Sequence, residues 1–351
     1  MTDRRDQPTL TDGTVTLRPW RDEDIDAAVA GHDEEIAHWF GFPDGIVQPP
    51  RDTMVGAVTE WRRAWESDRS VANFAVEYDG RLVGSCEIQR RDDNTGVLSW
   101  TLYAGHRGRG HATRAVRVLA DWAMTEAGQG GLGLTRIEAF VEPGNEASLR
   151  VATRAGLRRE GVRRVAAGTG DRLETTEYVV LARLHDDPPL TDATSFRSLL
   201  NSFLPRKRAI SQLMIRDADD RVLLCQLTYK KDWDLPGGVV EVGESPRLAV
   251  GRELTEELGL TIEPGRLLLT DWLPAWGGWD DAVCLVFDGG VQPATIVAEL
   301  VCQEREIRCA EFLTADEIGE RAADFTARRI EAALRRARGE ADAPSYTESG
   351  R

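Results

Sequence analysis

The feature that most constrains this chain is a cluster of carboxylates at helical spacing behind a double glycine. Glu253, Glu256 and Glu257 stand at i, i+3 and i+4, so on a helix over about Pro246–Leu258 they share one face. Like charges placed this way repel, costing about 0.2–0.5 kcal/mol per pair. A hard divalent cation, which takes oxygen ligands and fills its remaining positions with water or phosphate, turns that repulsion into a site. Gly237 and Gly238 precede the helix, and their missing side chains let the backbone approach a metal or phosphate closely. Glu256 and Glu257 alone would read as an ordinary solvated face; the residues around them decide.

Those residues run Gly238-Val-Val-Glu-Val-Gly-Glu244-Ser-Pro-Arg-Leu-Ala-Val-Gly-Arg252-Glu253-Leu-Thr-Glu256-Glu257-Leu-Gly259-Leu260, after Trp233-Asp234-Leu235-Pro236-Gly237. Every fixed position of GX5EX7REUXEEXGU is filled, and residues 206–338 resemble the Nudix hydrolases. The resemblance implies an α/β/α sandwich and Mg²⁺- or Mn²⁺-dependent attack of water on a diphosphate. It makes Glu256 and Glu257 metal ligands, Glu253 a ligand or general base, and the Gly237 carbonyl a further ligand. Glu244 and Arg252 pair to hold loop and helix together. In some relatives the base comes from elsewhere, so Glu304, Glu306 and Glu311 stand as lower-ranked alternatives. Trp272, Trp276 and Trp279 follow the box; one of them stacks on a nucleobase, or they serve as core and surface packing. The box does not choose among nucleoside triphosphates, nucleotide sugars, dinucleotides and coenzymes.

The first half reads as a separate mixed α/β unit. Apolar spacing predicts helices within Asp22–Phe40 and Arg51–Glu66. Strands follow at Ala72–Tyr78, Arg81–Gln89 and Val97–Tyr103, the first two joined by the turn Asp79-Gly80. After them come Arg107-Gly108-Arg109-Gly110-His111-Ala112-Thr113 and a helix over about Gly110–Ala127, then a strand at Arg136–Val141, a helix at Asn145–Ala155 and two strands ending at Glu177–Leu184. A glycine turn at a helix N-terminus aims backbone N–H groups and the positive dipole end at an anion, and a pyrophosphate suits it.

The turn matches (R/Q)xxGx(G/A). With Leu17-Arg18-Pro19-Trp20-Arg-Asp22-Glu-Asp24 upstream and Asn145-Glu-Ala-Ser148 through Glu160-Gly161 downstream, residues 9–184 resemble the GNAT acetyltransferases. Within them they resemble the branch acting on N-terminal amines of ribosomal proteins. The resemblance implies acetyl-CoA as cosubstrate, held by Leu102 through its backbone, by residues 107–113 (Arg107, Gly108, Arg109, Gly110, His111, Ala112 and Thr113) and by Asn145. Ser148 is the candidate acid for the departing thiolate, or else an early-helix hydroxyl satisfying the backbone. Glu87 is the candidate base, or else a solvent-facing strand glutamate. His111, inside the turn, reads as a contact rather than a base.

With 351 residues, 41% of them hydrophobic, the chain has material for two such cores. The expected division is a GNAT domain at 8–185, a linker at 186–205, a Nudix domain at 206–338 and a disordered polar tail at 339–351. A net charge of -15 argues against nucleic acid or an anionic membrane as partner. Five scattered cysteines without a CxxC pair argue against a disulfide framework, and no secretory signal or membrane span is evident, so the expected location is the cytoplasm. The reading is a bifunctional enzyme whose halves work independently: an N-acetyltransferase acting on a protein N-terminus or small amine, and a hydrolase of a nucleoside diphosphate-linked substrate. Its alternative keeps the hydrolase and makes the first half a non-catalytic CoA-sensing or partner-binding module.

Overall fold

In the computed structural model, which describes residues 6–42, 46–167, 174–229 and 231–351, the chain divides into two compact units meeting at Leu204/Pro205. The first unit runs β1 (Leu10–Thr11), β2 (Thr16–Arg18), α1 (Asp24–Gly31), α2 (Glu34–Trp39), α3 (Arg51–Ser67), β3 (Val71–Tyr78), β4 (Arg81–Arg90), β5 (Thr95–Leu102), α4 (His111–Met124), β6 (Arg136–Val141), α5 (Glu146–Arg154), β7 (Arg158–Ala167), β8 (Glu174–Leu184) and α6 (Ala193–Phe203). Its strands form one open sheet in the order β1-β2-β3-β4-β5-β6-β8-β7. Side-chain alternation fills both faces. Phe74 and Val76 of β3 pack with Val116 and Leu119 of α4, while Ala75 between them faces Ile25, Met54 and Val58 of the first three helices.

The segment Asp22–Phe40 is two helices, because Asp33 accepts a hydrogen bond from the Ile36 N–H at 3.0 Å and so starts a new helix behind His32. Residues 193–203, where Phe196, Leu199, Leu200 and Phe203 predict a short docking helix inside the linker, form a helix packed on β7 with Leu199 buried.

The entry motif closes on itself. Arg18 donates to both oxygens of Asp24 at 2.7 and 2.8 Å and to Glu77 at 2.6 Å, with Arg18 and Asp24 both buried. Burial opposes ionisation of Asp24, but the Arg18 hydrogen bonds and the Arg21 N–H outweigh it and hold the carboxyl below its usual range.

The second unit runs β9 (Arg208–Arg216), β10 (Val222–Leu227), β11 (Trp233–Asp234), β12 (Gly237–Val239), α7 (Pro246–Leu258), β13 (Leu267–Leu273), β14 (Ala282–Val291), β15 (Ile307–Leu313), α8 (Ala315–Arg321), α9 (Asp324–Ala337) and β16 (Tyr346–Glu348). Its sheet is ordered β11-β10-β9-β14-β13-β16, with β12 on β9 and β15 on β10. Leu213, Ile215, Leu223 and Cys225 face Val250, Leu254 and Leu258 of α7. Met214, Val222 and Leu224 face Ile318 and Ile330 of α8 and α9. Helices therefore cover both faces, the α/β/α arrangement expected. No helix among the described residues is long and apolar enough to cross a membrane.

The reading of 339–351 as a disordered tail is corrected. β16 pairs in parallel with β13, and the fully buried Asp271 of β13 accepts hydrogen bonds from the Thr347 hydroxyl (2.7 Å), the Gly350 N–H (2.9 Å) and Arg329 (2.8 Å). The cause is a partner some 76 residues upstream, which the polar composition of the tail does not reveal.

Two outcomes follow. Arg18→Met strands a buried carboxylate and lowers unfolding free energy by about 3–5 kcal/mol in denaturant titration. The Asp24 contribution is present above its unfolded pKa of about 3.9 and is lost as pH falls below it, so wild type loses stability there and Arg18→Met/Asp24→Leu keeps a flatter acid limb. Deleting 344–351 lowers the denaturant midpoint of the second unit, and Thr347→Val alone costs about 1–3 kcal/mol by leaving the Asp271 carboxylate short of a donor.

Candidate active sites

In the first unit, β5 and β6 pair in parallel over only Thr95–Val97, whereas β4 follows β5 to Leu102. Past Val97 the two strands part, and a cleft of ≈250 Å³ lies where Trp100, Thr101 and Leu102 face the glycine turn and α5. Gly108 and Gly110 take φ of 75° and 83°, the left-handed region that side chains with a Cβ resist. No side-chain oxygen caps α4, so the N–H groups of its first turn are left to face an anion. Gly108, Gly110, Ala112, Thr113 and Asn145 line the cleft.

Arg107 lines it too, but its charge is spent inside the protein. It donates to the Leu102 carbonyl at 2.9 Å, to both oxygens of Asp33 at 2.8 and 2.9 Å, and to Glu35 at 2.6 Å. Its place is to tie the turn and the end of β5 to α2. Arg109 and His111 differ from expectation as well: neither lines the cleft. The His111 ring is buried against Tyr78 at 4.2 Å, and neither ring nitrogen has a hydrogen-bond partner. Burial first, and then the guanidinium groups of Arg109 and Arg114, lower its pKa. A β-strand aromatic 33 positions upstream, not the turn, takes its side chain.

Ser148 lines the cleft in the first turn of α5, where the Asn145 side chain accepts from its N–H at 3.0 Å. Asn145 thereby does the capping that the hydroxyl would otherwise perform. Glu87, on β4, lines a second cavity that adjoins the first. Burial pushes its carboxyl up, against a 2.7 Å hydrogen bond donated by Asn73 Nδ2.

In the second unit, Ser245 caps α7, Pro246 opens it and Gly259 ends it at φ 69°. The three glutamates do lie on a helix, and they diverge in surroundings. Glu253 packs onto the loop: a Cβ at Gly238 would fall 2.6 Å from its carboxyl group, so glycine there makes room for the acid. Gly237 is confined twice, by φ 132° and by the Ser211 carbonyl 2.2 Å from where a Cβ would be. Glu257 is buried and accepts the Gly237 N–H at 3.0 Å. Burial first, then Glu253, Glu306 and Asp234, push its carboxyl up to about 7 despite that N–H. Glu256 is half exposed and pairs with Arg252 at 3.0 Å.

Arg252 also meets Glu244 through two bonds of 3.0 and 3.1 Å and Glu253 at 3.1 Å, so it bridges the loop and the helix. Of the three lower-ranked acids, Glu306 contributes to the field at Glu253 and Glu257, and Glu311 is paired with Arg321 at 3.0 Å. No three His, Cys, Asp or Glu side chains among the described residues already stand around a common metal position. The chemistry of Glu253 and Glu257 nonetheless fits a hard cation: all-oxygen donors, crowded by like charge and drawn toward protonation without one.

Trp272 lies in β13, while Trp276 and Trp279 are exposed at a tight turn closed by mutual backbone hydrogen bonds, with Arg208 over the Trp279 ring.

Comparison with known proteins agrees with this geometry. The family described as acetyltransferase (GNAT) domain matches residues 14–158, and the NUDIX domain family matches residues 205–340. The first half is similar to the probable N-acetyltransferase YjcK of Bacillus subtilis (strain 168), 36% identical over 135 residues, 37% of this chain and 70% of that protein. It is also similar to the uncharacterized N-acetyltransferase p20 of Bacillus licheniformis, 28% identical over 160 residues, 44% of this chain and 85% of that protein. The second half is similar to a MutT-like protein of Streptomyces ambofaciens, 32% identical over 130 residues, 36% of this chain and 75% of that protein. The chain thus belongs to two families in succession, an acetyltransferase of the GNAT family followed by a Nudix hydrolase.

Proposed function

We propose that the protein is a bifunctional cytoplasmic enzyme that acetylates an amine from acetyl-CoA and, independently, hydrolyses a nucleoside diphosphate-linked substrate with Mg²⁺ or Mn²⁺. The domain limits proposed are 8–185 and 206 onward, with the ordered C-terminal strand counted in the second domain. The five free cysteines suit a reducing compartment.

For the transferase, the carrying observation is that the glycine-turn cleft and the Glu87 cavity share Phe40, Trp100 and Thr101. The backbone of Leu102 and its neighbours and the N–H groups of the turn hold the pantetheine and pyrophosphate. Asn145 shapes the cleft floor, and Arg107 fixes the turn. Glu87 takes one proton from the ammonium. The freed lone pair attacks the thioester carbonyl, the C–S bond breaks with its electron pair on sulfur, and Ser148 relays a proton from the acetylated nitrogen to that sulfur. Acetyl amide, CoA thiol and one proton result.

For the hydrolase, the carrying observation is the seating of Glu253 and Glu257 on the glycine corner. A divalent cation, when bound, supplies charge stabilisation at phosphoryl oxygens and an acidified water. Glu257 and the Gly237 carbonyl would hold it, joined by Glu256 if that side chain leaves Arg252, with Glu253 as a further ligand or as the base that would take the proton of the attacking water. Glu244 and Arg252 keep loop and helix in register.

Three experiments test these assignments. In a screen of nucleoside triphosphates, nucleotide sugars and dinucleotides, Mg²⁺-dependent hydrolysis falls by about 10²-fold or more in Glu257→Gln, with a smaller loss in Glu256→Gln. Mg²⁺ raises the melting temperature of wild type but not of Glu257→Gln; equal turnover in both variants and wild type removes the assignment. Gly238→Ala displaces Glu253 and lowers kcat by about 10-fold or more, while its circular dichroism spectrum is unchanged. Ser148→Ala lowers the acetyl-transfer kcat by about 10²-fold with acetyl-CoA affinity retained; an unchanged kcat returns Ser148 to a passive wall residue.

A further inference from the structure

The cavity around Glu87 carries more information than the presence of a base. It measures ≈310 Å³, near the small end of the roughly 300–1,000 Å³ span of ligand pockets. Its walls are aromatic. Trp20 and Trp61 lean on each other at 5.6 Å, Phe42 stacks on His32 at 5.9 Å, and Tyr103 and Met54 are buried behind them. Among the described residues Glu87 is the one carboxylate on this lining, and none of them is a lysine or arginine. Of the other titratable groups, His32 has its Nδ1 taken up by the Ala28 carbonyl at 2.7 Å, and burial pushes the Tyr103 hydroxyl up.

The carboxylate is aimed by a chain of fixed polarity. An indole nitrogen only donates, so Trp20 Nε1–H, 2.8 Å from Asn73 Oδ1, dictates which way the Asn73 amide points. Its Nδ2 must then donate to Glu87 Oε2, as it does at 2.7 Å. Trp20 and Asn73 are both buried, so the amide has no solvent alternative. One oxygen of Glu87 is thereby held and the other is left for a guest.

Resting on the transferase reading, we infer that the acetyl acceptor is a primary monoamine borne on one apolar group of branched-alkyl or aromatic size, with Trp20 and Asn73 as positioning residues for Glu87. The cavity selects against other amines for stated reasons. A second ammonium, as in a polyamine, would lose its water with no second carboxylate among the described lining residues to meet it. An amino sugar would lose water from several hydroxyls against Trp, Phe and Met faces, with the side chains of Thr53, Ser85, Ser99 and Thr101 as the hydroxyl partners the lining offers besides Tyr103. An apolar group instead leaves water for the ring faces, and the ammonium meets both Glu87 and the π-face of a tryptophan. A free amine and the N-terminal residue of a peptide offer the same chemistry.

The test uses the full-length protein at saturating acetyl-CoA, with CoA release as readout. Phenethylamine, isoamylamine and a tripeptide starting with Phe are compared with ethanolamine, spermidine, glucosamine and a tripeptide starting with Asp. The apolar set is expected to lead in kcat/KM by about 10-fold or more, the scale on which a hydrophobic pocket discriminates; the peptide and free-amine arms separate the two sources. Trp61→Ala raises KM for phenethylamine by about 10-fold with kcat held within about twofold, and Phe42→Ala, as a second wall variant, does the same. Trp20→Phe keeps an aromatic side chain, though a smaller one, and removes the N–H, so kcat drops by about 10-fold across the panel, and Glu87→Gln drops it further. Polar or doubly charged amines matching the apolar set, or wall variants that leave the preference intact, overturn the inference while acetyl transfer stands. Acetyl-CoA binding by calorimetry with no CoA released for any amine overturns both.

Discussion

A guanidinium fork set against carboxylates recurs wherever this protein must hold a loop that builds a site. Arg252 joins Glu244 of the glycine-corner loop to Glu253 and Glu256 of α7. Arg107 joins the glycine turn to Asp33 and Glu35 at the start of α2 and to the Leu102 carbonyl. Arg18 locks the entry strand to α1 through Asp24, and Arg329 joins α9 to Asp271 beneath the C-terminal strand. A planar fork with several fixed donors can bridge two or three acceptors at once, which a single ammonium on a flexible stem does less well. Lysine occurs at three positions in the whole chain, and none of these clamps uses it. Each clamp converts a charge that could have faced substrate into stiffness at the place where the backbone meets substrate.

Glycine completes what the clamps begin, in two different ways. At Gly108 and Gly110 the surrounding space is open, and the demand is purely on φ, so that consecutive N–H groups turn toward the cleft. At Gly237 and Gly238 the demand is also steric, since one lies against the Ser211 carbonyl and the other against the Glu253 carboxyl. The same residue type therefore marks a presented backbone in one half and a compressed contact between acid and loop in the other. Substitution by alanine strains the backbone in the first case and moves a functional carboxylate in the second.

Much of this was legible in residue order because its causes are local. The i, i+3, i+4 glutamates, the Ser-Pro entry to α7, the Asp-Gly hairpin and the alternating strands depend on neighbours a few positions away, and they fall where pattern places them. What escaped was set by distant partners. The tail is ordered by Asp271, the His111 ring is drawn inward by Tyr78, and the Arg107 charge is consumed by two acids more than 70 positions earlier. Composition described the tail correctly as polar; it could not say that a buried acceptor was waiting for its hydroxyl and N–H groups. The Trp20–Asn73–Glu87 chain lay hidden for the same reason, although a tryptophan inside the entry motif was a signal that some buried acceptor must meet its N–H.

Both halves, as proposed, handle a diphosphate within a chain of net charge -15, and they solve that problem from opposite sides. The transferase cleft meets an anion with neutral dipoles: open glycine φ angles, uncapped N–H groups and an arginine already neutralised by its own acids. Such a site stays attractive to anions without free cationic side chains, and acids elsewhere on the chain weaken it little, since charges beyond about 8–10 Å are screened at physiological salt. The hydrolase corner is itself anionic, with Glu306 raising the charging cost of both Glu253 and Glu257 and Glu253 adding to that of Glu257, and like charge of this kind disfavours phosphate. On the proposed reading, substrate capture in the second half is thereby tied to divalent metal, whereas capture in the first half is not. That reading has depletion of the divalent cation silence one activity and leave the other running, a separation that follows from where each half keeps its positive charge.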